Sequence, residues 1–232
     1  MFVKICGLTS EEDALLAVAQ GADAVGFVFA PSTRQLAAAI ARDIARRLPP
    51  EVLTVGVFRN EAPSRVVEIC QFAGLRAAQL HGHESPADCQ WVRSRVGLLI
   101  KGFAAGDPDL DRFDEYHADI ALIDSPTPGS GEMFDWSLAE RAPSNRRLLL
   151  AGGLTPDNVA EAIHQVRPWG VDVSTGVESA PGHKDALKVS RFIAAAKAAA
   201  PDEAATDPGL ALDADSLRPG PTAGGPFDWQ RE

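Results

Sequence analysis

Eight short apolar segments, each followed by a helix signal, constrain the fold of this chain more than any other feature of its sequence. The segments are rich in β-branched, aromatic and aliphatic residues, and they recur at intervals of roughly 20 to 30 residues, the spacing of successive βα units. The predicted strands cover residues 2–6, 24–29, 52–58, 76–81, 98–103, 119–124, 147–151 and 171–174. Eight such units most economically close into a single (β/α)8 TIM barrel, whose site is expected at the carboxyl ends of the strands.

An open, doubly wound parallel sheet is the competing architecture for alternating strands and helices. That fold usually carries a Gly-x-Gly-x-x-Gly turn after its first strand. Here the first strand is followed by Cys6-Gly7-Leu8-Thr9, which lacks that pattern. The sequence therefore favours the closed barrel over the open sheet.

Helix boundaries between the strands are marked by capping residues. Thr9 and Glu12 have capping-box spacing before an alanine-rich helix that Gly21 ends. Ser85 and Thr155 each precede a proline at the first helical position, which predicts an N-cap at both residues. The helix signals are weakest over residues 107–116 and 136–141.

The composition changes near residue 201, which predicts one barrel domain over residues 1–200 and a separate tail over 201–232. The tail contains five Pro, four Gly, seven acidic residues and two Arg, and it shows no apolar periodicity. A segment of this kind cannot bury enough apolar surface to offset the entropy lost on ordering. We therefore expect an acidic, disordered tail.

Charge and cysteine usage exclude several classes of function. The formal charge of −10 argues against a nucleic acid or an anionic membrane surface as the main partner. No basic and apolar leader is present, and no run approaches the roughly 18 apolar residues of a membrane span. Three widely spaced cysteines suggest neither a disulfide framework nor a metal site. We expect a cytoplasmic protein with a small-molecule ligand.

Cys6 and Asp124 are the candidate acid–base residues, because each ends a predicted strand. Alternation along the first strand puts Lys4 and Cys6 on the face that points into the barrel. A thiol is a useful base near neutral pH when a neighbouring cation lowers its pKa, and Lys4 is the candidate cation. Asp124 closes an apolar strand before a Gly/Pro-rich loop over 125–131, so it is either a loop cap or a site acid. Two such groups can divide proton removal and proton donation between them.

Two glycine-containing loops after the last two strands indicate a phosphate site. Gly152 and Gly153 follow the seventh strand, and Ser174, Thr175 and Gly176 follow the eighth. Either loop alone is compatible with an ordinary tight turn. In barrels, however, these two loops commonly bind phosphate through backbone amides, so together they predict a phosphorylated ligand.

The loops after strands two and four contain further candidates. Arg34 has the geometry to hold a carboxylate bidentately, although a solvated arginine is the simpler alternative. His81 and His83 have the spacing of a metal pair, but no third ligand accompanies them. We interpret His81 as lining the pocket and His83 as lying on the surface. Cys70 and Cys89 are interpreted as small buried hydrophobic residues.

Several of these stretches together resemble phosphoribosylanthranilate isomerase, in order from about residue 2 to residue 198. The stretches are Lys4-Ile5-Cys6-Gly7-Leu8-Thr9, Gly21-Ala22-Asp23, Gly26-Phe27-Val28-Phe29, Gln79-Leu80-His81-Gly82, Phe134-Asp135-Trp136, Leu150-Ala151-Gly152-Gly153-Leu154, Val171-Asp172-Val173-Ser174-Thr175-Gly176-Val177-Glu178, Pro181-Gly182 and Lys184-Asp185. The resemblance implies an Amadori rearrangement in tryptophan biosynthesis, without a metal or an organic cofactor. It leaves monomer and homodimer open.

The resemblance also implies roles for individual residues. Cys6 would be the general base and Asp124 the general acid, and Arg34 would hold the carboxylate of the anthranilate group. Asp172 and His81 would line the same pocket. The residues implied in phosphate binding are Gly152, Gly153, Ser174, Thr175 and Gly176.

Two alternatives compete with this interpretation. A barrel isomerase of histidine biosynthesis performs the same type of rearrangement, but it resembles two fused half-barrels with a phosphate motif in each, and it has an aspartate where Cys6 stands. A non-catalytic barrel that binds sugar phosphates would be expected to have lost Cys6, Asp124 or Arg34. All three are present.

Overall fold

The computed structural model describes residues 1–125, 135–138 and 146–201 of the chain. Three of the regions interpreted from sequence lie wholly or partly outside the described residues. They are most of the Gly/Pro-rich loop over 125–131, the later part of the helix predicted over 136–141, and all but the first residue of the tail over 201–232.

Eight parallel strands close into a barrel in the order β1 to β8, with β8 pairing β1. The strands are β1 (Phe2–Ile5), β2 (Ala24–Val28), β3 (Leu53–Phe58), β4 (Ala77–Leu80), β5 (Leu98–Ala104), β6 (Ile120–Asp124), β7 (Arg147–Leu150) and β8 (Gly170–Val173). Each agrees with its predicted strand to within one residue at either end. The predicted (β/α)8 barrel is confirmed.

Helices and short 3₁₀ segments occupy the connections. The α-helices of the described residues are α1 (Glu11–Ala19), α2 (Ala38–Ala45), α3 (Pro63–Ala73), α4 (Pro86–Arg93), α5 (Val159–Val166) and α6 (Ala186–Ala198). The 3₁₀ segments are Pro108–Tyr116, Trp136–Leu138 and Thr175–Val177, and a hairpin of β9 (Glu178–Ala180) and β10 (His183–Lys184) follows β8. The two connections with the weakest helix signals therefore contain 3₁₀ segments in their described parts.

The start of α1 differs from the sequence prediction by one residue. The Ser10 hydroxyl, not that of Thr9, accepts the cap hydrogen bond, which comes from the amide of Asp13 at 3.1 Å. The Thr9 hydroxyl instead donates to the carbonyl of Gly182 at 2.5 Å. The predicted Thr9–Glu12 capping box is therefore wrong, because Thr9 is used to attach the β9–β10 hairpin to the rim.

The start of α5 also differs from its prediction, whereas that of α4 does not. Thr155 precedes a turn, and its amide donates to the Asn158 side chain at 2.7 Å, so the helix begins only after Asn158. The Ser85 N-cap of α4 is confirmed and forms a full capping box with Asp88. A proline after a capping residue is thus not sufficient to define a helix start in this chain.

Side chains alternate between two apolar layers along the strands. Val3 and Ile5 belong to the outer layer, which packs against the helices. Cys6 belongs to the inner layer of the barrel, and Lys4 is fully buried there. This confirms the predicted direction of the Lys4 and Cys6 side chains. None of the helices in the described ranges has both the length and the apolar composition needed to span a bilayer.

Candidate active site

The predicted site residues gather at one end of the barrel. Cys6 directly follows β1, and Asp124 is the last residue of β6. The loops after β7 and β8 lie between them around the circumference, because the strand order is sequential. In a parallel barrel the carboxyl ends of all strands share one rim, so the acid–base candidates and both glycine-containing loops face the same opening.

Beside Cys6 lies a buried ion pair between the first and last strands. Lys4 and Asp172 are direct neighbours in the β1–β8 register, and Lys4 Nζ lies 2.8 Å from Asp172 Oδ1. Burial raises the pKa of the Cys6 thiol above its ordinary value of 9.0; Lys4 opposes the rise, and Asp172 adds to it. The lowered thiol pKa expected from Lys4 is therefore not found. The expectation was wrong because the thiol is buried and because Asp172, distant in sequence, acts against the lysine charge.

Asp124 is held by two hydrogen-bond donors. Its Oδ1 accepts from the backbone amide of Ser125 at 2.7 Å, and its Oδ2 lies 3.2 Å from His81 Nε2. Gln79 Nε2 lies 3.0 Å from His81 Nδ1. If the glutamine amide is the donor, His81 Nδ1 is the acceptor and Nε2 carries the proton that points at Asp124. The sequence analysis missed Gln79, although its position two residues before His81 puts it on the same strand face.

Gly152 brings the loop after β7 against the candidate acid. Its φ of +82° is a conformation that favours glycine. A Cβ atom there would lie 2.5 Å from the Ser125 amide nitrogen and 2.9 Å from Asp124 Oδ1. Only a residue without a side chain permits this approach.

A small cavity of about 50 Å³ lies between the loops after β7 and β8. It is lined by Asp124, Ala151, Gly152, Gly153, Leu154, Asp172, Val173, Ser174, Thr175 and Gly176. Within the described ranges, the amides of Gly152 and Gly153 donate to no protein acceptor. All five residues predicted to bind phosphate therefore line one cavity, with backbone donors left available.

Arg34 lies at the same rim, with a protein carboxylate on one edge of its guanidinium. Its Nε and Nη2 donate to the two oxygens of Glu178, each at 2.7 Å, and Nη2 lies 3.2 Å from the Thr175 hydroxyl. Lys184 Nζ lies 2.9 Å from the same carboxylate. Burial alone would raise the pKa of Glu178, but Arg34 and Lys184 outweigh it, so the pKa lies below the ordinary 4.5. No local sequence signal indicated this ionic cluster, whose members come from distant segments.

The remaining candidates occupy separate positions. His83 is exposed, whereas His81 is partly buried beside Asp124. Cys70 and Cys89 are buried, and burial raises the pKa of each thiol to about 12. Within the described part of the chain, no group of three or more His, Cys, Asp or Glu residues is arranged to hold a metal ion.

A second buried ion pair, which the sequence analysis missed, supports the loop that carries His81. Lys101 Nζ lies 3.1 Å from Glu84 Oε2 and donates to the Gly82 carbonyl at 2.7 Å. Glu84 in turn accepts from the backbone amides of Asn60 and Gly82. The pair joins β5 to the loops after β3 and β4, which fixes the backbone next to His81.

The closed parallel barrel, with these residues at the carboxyl ends of its strands, defines the class of the protein as a (β/α)8 barrel. A sequence model of the N-(5'-phosphoribosyl)anthranilate isomerase family matches residues 3–195. The N-(5'-phosphoribosyl)anthranilate isomerase of Desulforudis audaxviator is 50% identical over 204 residues, covering 85% of this chain and 98% of that protein. The isomerase of Thermotoga maritima is 46% identical over 201 residues, covering 84% of this chain and 98% of that protein.

Solved structures show the same relationship. The phosphoribosyl anthranilate isomerase of Thermus thermophilus superposes with a TM-score of 0.80 at 42% identity, covering 85% of this chain and 99% of that one. A phosphoribosyl anthranilate isomerase in complex with reduced 1-(o-carboxyphenylamino)-1-deoxyribulose 5-phosphate gives a TM-score of 0.76 at 44% identity, with the same coverage. The chain belongs to the N-(5'-phosphoribosyl)anthranilate isomerase family.

Proposed function

We propose that this chain catalyses the Amadori rearrangement of N-(5-phosphoribosyl)anthranilate to 1-(2-carboxyphenylamino)-1-deoxyribulose 5-phosphate in tryptophan biosynthesis, with Cys6 as general base and Asp124 as general acid. The observation that carries the proposal is the arrangement of the rim. Cys6 directly follows β1 and Asp124 ends β6, and the glycine-containing loops after β7 and β8 lie between them. A sugar phosphate held by these loops meets a thiol on one side and a carboxyl group on the other.

Asp124 starts the reaction by opening the ribose ring. Its protonated carboxyl group gives a proton to the ring oxygen, the bond between that oxygen and sugar carbon 1 breaks, and the nitrogen lone pair forms a C=N bond. The product of this step is a Schiff base. The carboxylate left behind accepts hydrogen bonds from the Ser125 amide and from His81, and such bonds stabilise the charged form of an acid.

Cys6 completes the rearrangement as a thiolate. It removes the proton from sugar carbon 2, the released pair forms a C=C bond to carbon 1, and the C=N pair moves onto nitrogen. The resulting enolamine tautomerises to the ketone. The substrate nitrogen accepts the electron pair, so the proposed reaction requires no cofactor or metal. The raised thiol pKa makes the thiolate a minor form at neutral pH but a stronger base.

Two anchors hold the flexible open-chain sugar between acid and base. The loops containing Gly152, Gly153, Ser174, Thr175 and Gly176 are proposed to bind the phosphate through backbone amides.

Arg34 is proposed to bind the anthranilate carboxylate. Its guanidinium is held by Glu178 and lies within hydrogen-bond distance of Thr175, next to the phosphate loops. Holding both ends of the substrate so that its reacting atoms lie beside Cys6 and Asp124 lowers the activation free energy by several kcal/mol, and by about 7 to 11 kcal/mol in ideal cases.

The proposal is tested by removing the acid and the base separately. We expect Asp124→Asn and Cys6→Ala each to lower kcat by orders of magnitude, because each removes a proton-transfer group. Affinity for the reduced product analogue should stay close to the parental value, because neither group is an anchor. Cys89→Ala makes the same chemical change at a buried site in α4, outside the cavity between the loops after β7 and β8, and should keep parental turnover.

Loss of substrate fluorescence measures kcat, and calorimetric titration measures analogue affinity. Parental turnover in either the Asp124 or the Cys6 variant would remove that residue from the mechanism. Equal loss in the Cys89 variant would indicate general damage by cysteine replacement.

The working oligomer is proposed to be a monomer or a homodimer. One solved structure is of monomers generated from the dimeric phosphoribosylanthranilate isomerase of Thermotoga maritima. Light scattering on the purified chain distinguishes the two states, and a larger assembly would contradict the proposal.

A further inference from the structure

Three charged side chains, Arg34, Glu178 and Lys184, form a cluster at the rim that we call the anchor trio. Arg34 lies in the loop after β2, whereas Glu178 and Lys184 face each other across the β9–β10 hairpin. Glu178 binds Arg34 through both carboxylate oxygens at 2.7 Å and Lys184 through Oε1 at 2.9 Å. One carboxylate therefore bridges two cations.

The trio is buried and not electrically balanced. The side chains of Lys184, Glu178 and Arg34 are 0%, 5% and 13% exposed. Two cations and one carboxylate sum to 2 − 1 = +1. Burying an unmatched charge is costly unless an anion meets it. The trio lies at the rim, next to the phosphate loops, so a bound anion can supply the missing negative charge.

The Arg34 side chain is also fixed along its stem. A Cβ at Gly7 would lie 2.5 Å from Arg34 Cδ and 2.7 Å from the Ser174 hydroxyl, so the arginine stem lies directly over the backbone that follows Cys6. Glu178 takes the Nε and Nη2 edge of the guanidinium. Among the described residues Nη1 has no hydrogen-bond partner, so it is the group that can meet a ligand carboxylate.

Lys184 balances the charge of Glu178. Its Nζ also donates to the Ser174 carbonyl at 3.1 Å, which keeps it beside Glu178 Oε1. If Glu178 faced Arg34 alone, the pair would be neutral and a ligand carboxylate would meet no net charge. With Lys184 present, the trio retains one positive charge.

We propose that Glu178 and Lys184 are positioning residues for substrate recognition: Glu178 orients Arg34, and Lys184 offsets Glu178 so that the trio stays selective for a ligand carboxylate. This inference rests on the proposed role of Arg34 as the carboxylate anchor. It attributes the carboxylate preference, meaning tighter binding of a ligand with the carboxylate than of the same ligand without it, to the net charge of the trio.

The test compares two ligands that differ by one carboxylate. They are the reduced product analogue and its counterpart with phenylamino in place of the 2-carboxyphenylamino group. In Lys184→Met we expect the affinity for the first to fall about tenfold, the effect of about 1.4 kcal/mol. The affinity for the second should fall clearly less, since it carries no carboxylate for the trio to bind and any loss at the phosphate is common to both ligands.

Charge restoration separates this role from a structural one. In the double variant Glu178→Gln with Lys184→Met, Arg34 again carries an uncompensated charge, so the carboxylate preference should return towards the parental value. A merely structural role predicts that the double variant binds both ligands no better than the single variant. Lys188→Met is the matched control, because Lys188 donates to the backbone carbonyl of Glu178 and not to its carboxylate.

Calorimetric titration of both ligands gives the preference, and thermal unfolding shows that each variant is folded. Loss of the preference in Lys184→Met and its return in the double variant support the inference. A retained preference in Lys184→Met overturns it, as does a folded double variant without the preference. Arg34→Met tests the role of Arg34 as the carboxylate anchor. If that variant keeps the preference, the proposed role of Arg34 fails. If it loses the preference while Lys184→Met keeps it, only the present inference fails.

Discussion

Replacing Gly26 with alanine would place a methyl group in steric conflict with the Cys6 thiol. Gly26 lies in β2, and a Cβ built on it would lie 2.8 Å from Cys6 Sγ and 3.3 Å from Lys4 Cε. Both neighbours belong to the inner side of the barrel, where close packing leaves little room to move. The substitution therefore changes the position of the proposed base without removing it.

The size of the effect follows from the distance. Ordinary contacts of a Cβ begin at 3.4 Å, so Sγ or the backbone must move by at least 3.4 − 2.8 = 0.6 Å. Catalytic groups need to be held within about 0.5 Å of the productive geometry, and a misplacement of about 1 Å can cost on the order of 100-fold. We expect Gly26→Ala to lower kcat roughly 10- to 100-fold and to destabilise the fold by about 1 to 3 kcal/mol.

Gly56→Ala provides the matched control. Gly56 lies in β3, and its added Cβ would lie 2.9 Å from Phe58 Cε2 and 3.0 Å from Leu75 Cδ1, in the outer layer. It should lose comparable stability in urea unfolding but keep its kcat, because nothing it touches reacts. The reasoning is refuted if Gly26→Ala turns over at the parental rate, or if the two variants lose kcat to the same extent.

Two further predictions concern the buried ion pairs. Lys4→Met removes the cation that opposes the rise in the Cys6 pKa, so the rise of kcat/KM with pH should move to higher pH. Ultraviolet titration of the thiolate, in a background where Cys70 and Cys89 are both replaced by alanine, measures that pKa directly; an unchanged pKa would contradict the role of Lys4. Glu84→Gln leaves the Lys101 charge unmatched in a buried site and should cost about 3 kcal/mol in urea unfolding at neutral pH. Burial tends to raise the Glu84 pKa, but Lys101 and backbone amides hold it below 4.5. The stabilisation of the fold by the ionised Glu84 is therefore complete above about pH 4.5, and it is lost as the pH falls through the lower pKa of the folded state. A stability difference that persists well below that pH would argue against this assignment.

The barrel itself was predictable because its signals are local. Each strand is a short apolar run followed by a helix, and alternation alone gave the inward direction of Lys4 and Cys6. Helix starts were less predictable, because Thr9 and Thr155 have partners that local patterns do not reveal. Thr9 bonds the Gly182 carbonyl, and Thr155 bonds the Asn158 side chain.

The electrostatics of the site could not be derived from sequence spacing. Lys4 and Asp172 are separated by 168 residues, and Arg34 and Glu178 by 144. The cation nearest the thiol is visible in the sequence, but the carboxylate that offsets it becomes visible only when the barrel is closed. Burial raises the Cys6 pKa, and that carboxylate adds to the rise.

The contact between Lys4 and Asp172 has a consequence for synthesis of the chain. Cys6 emerges from the ribosome well before Asp172, which reaches Lys4 only when β8 joins β1. Until that junction forms, β1 can pair only with β2, and its lysine and thiol lie away from the carboxylate. The reactive surroundings of Cys6 are thus assembled by the last step of ring formation, and a nascent or permuted chain that cannot make this junction would be expected to carry an ordinary cysteine.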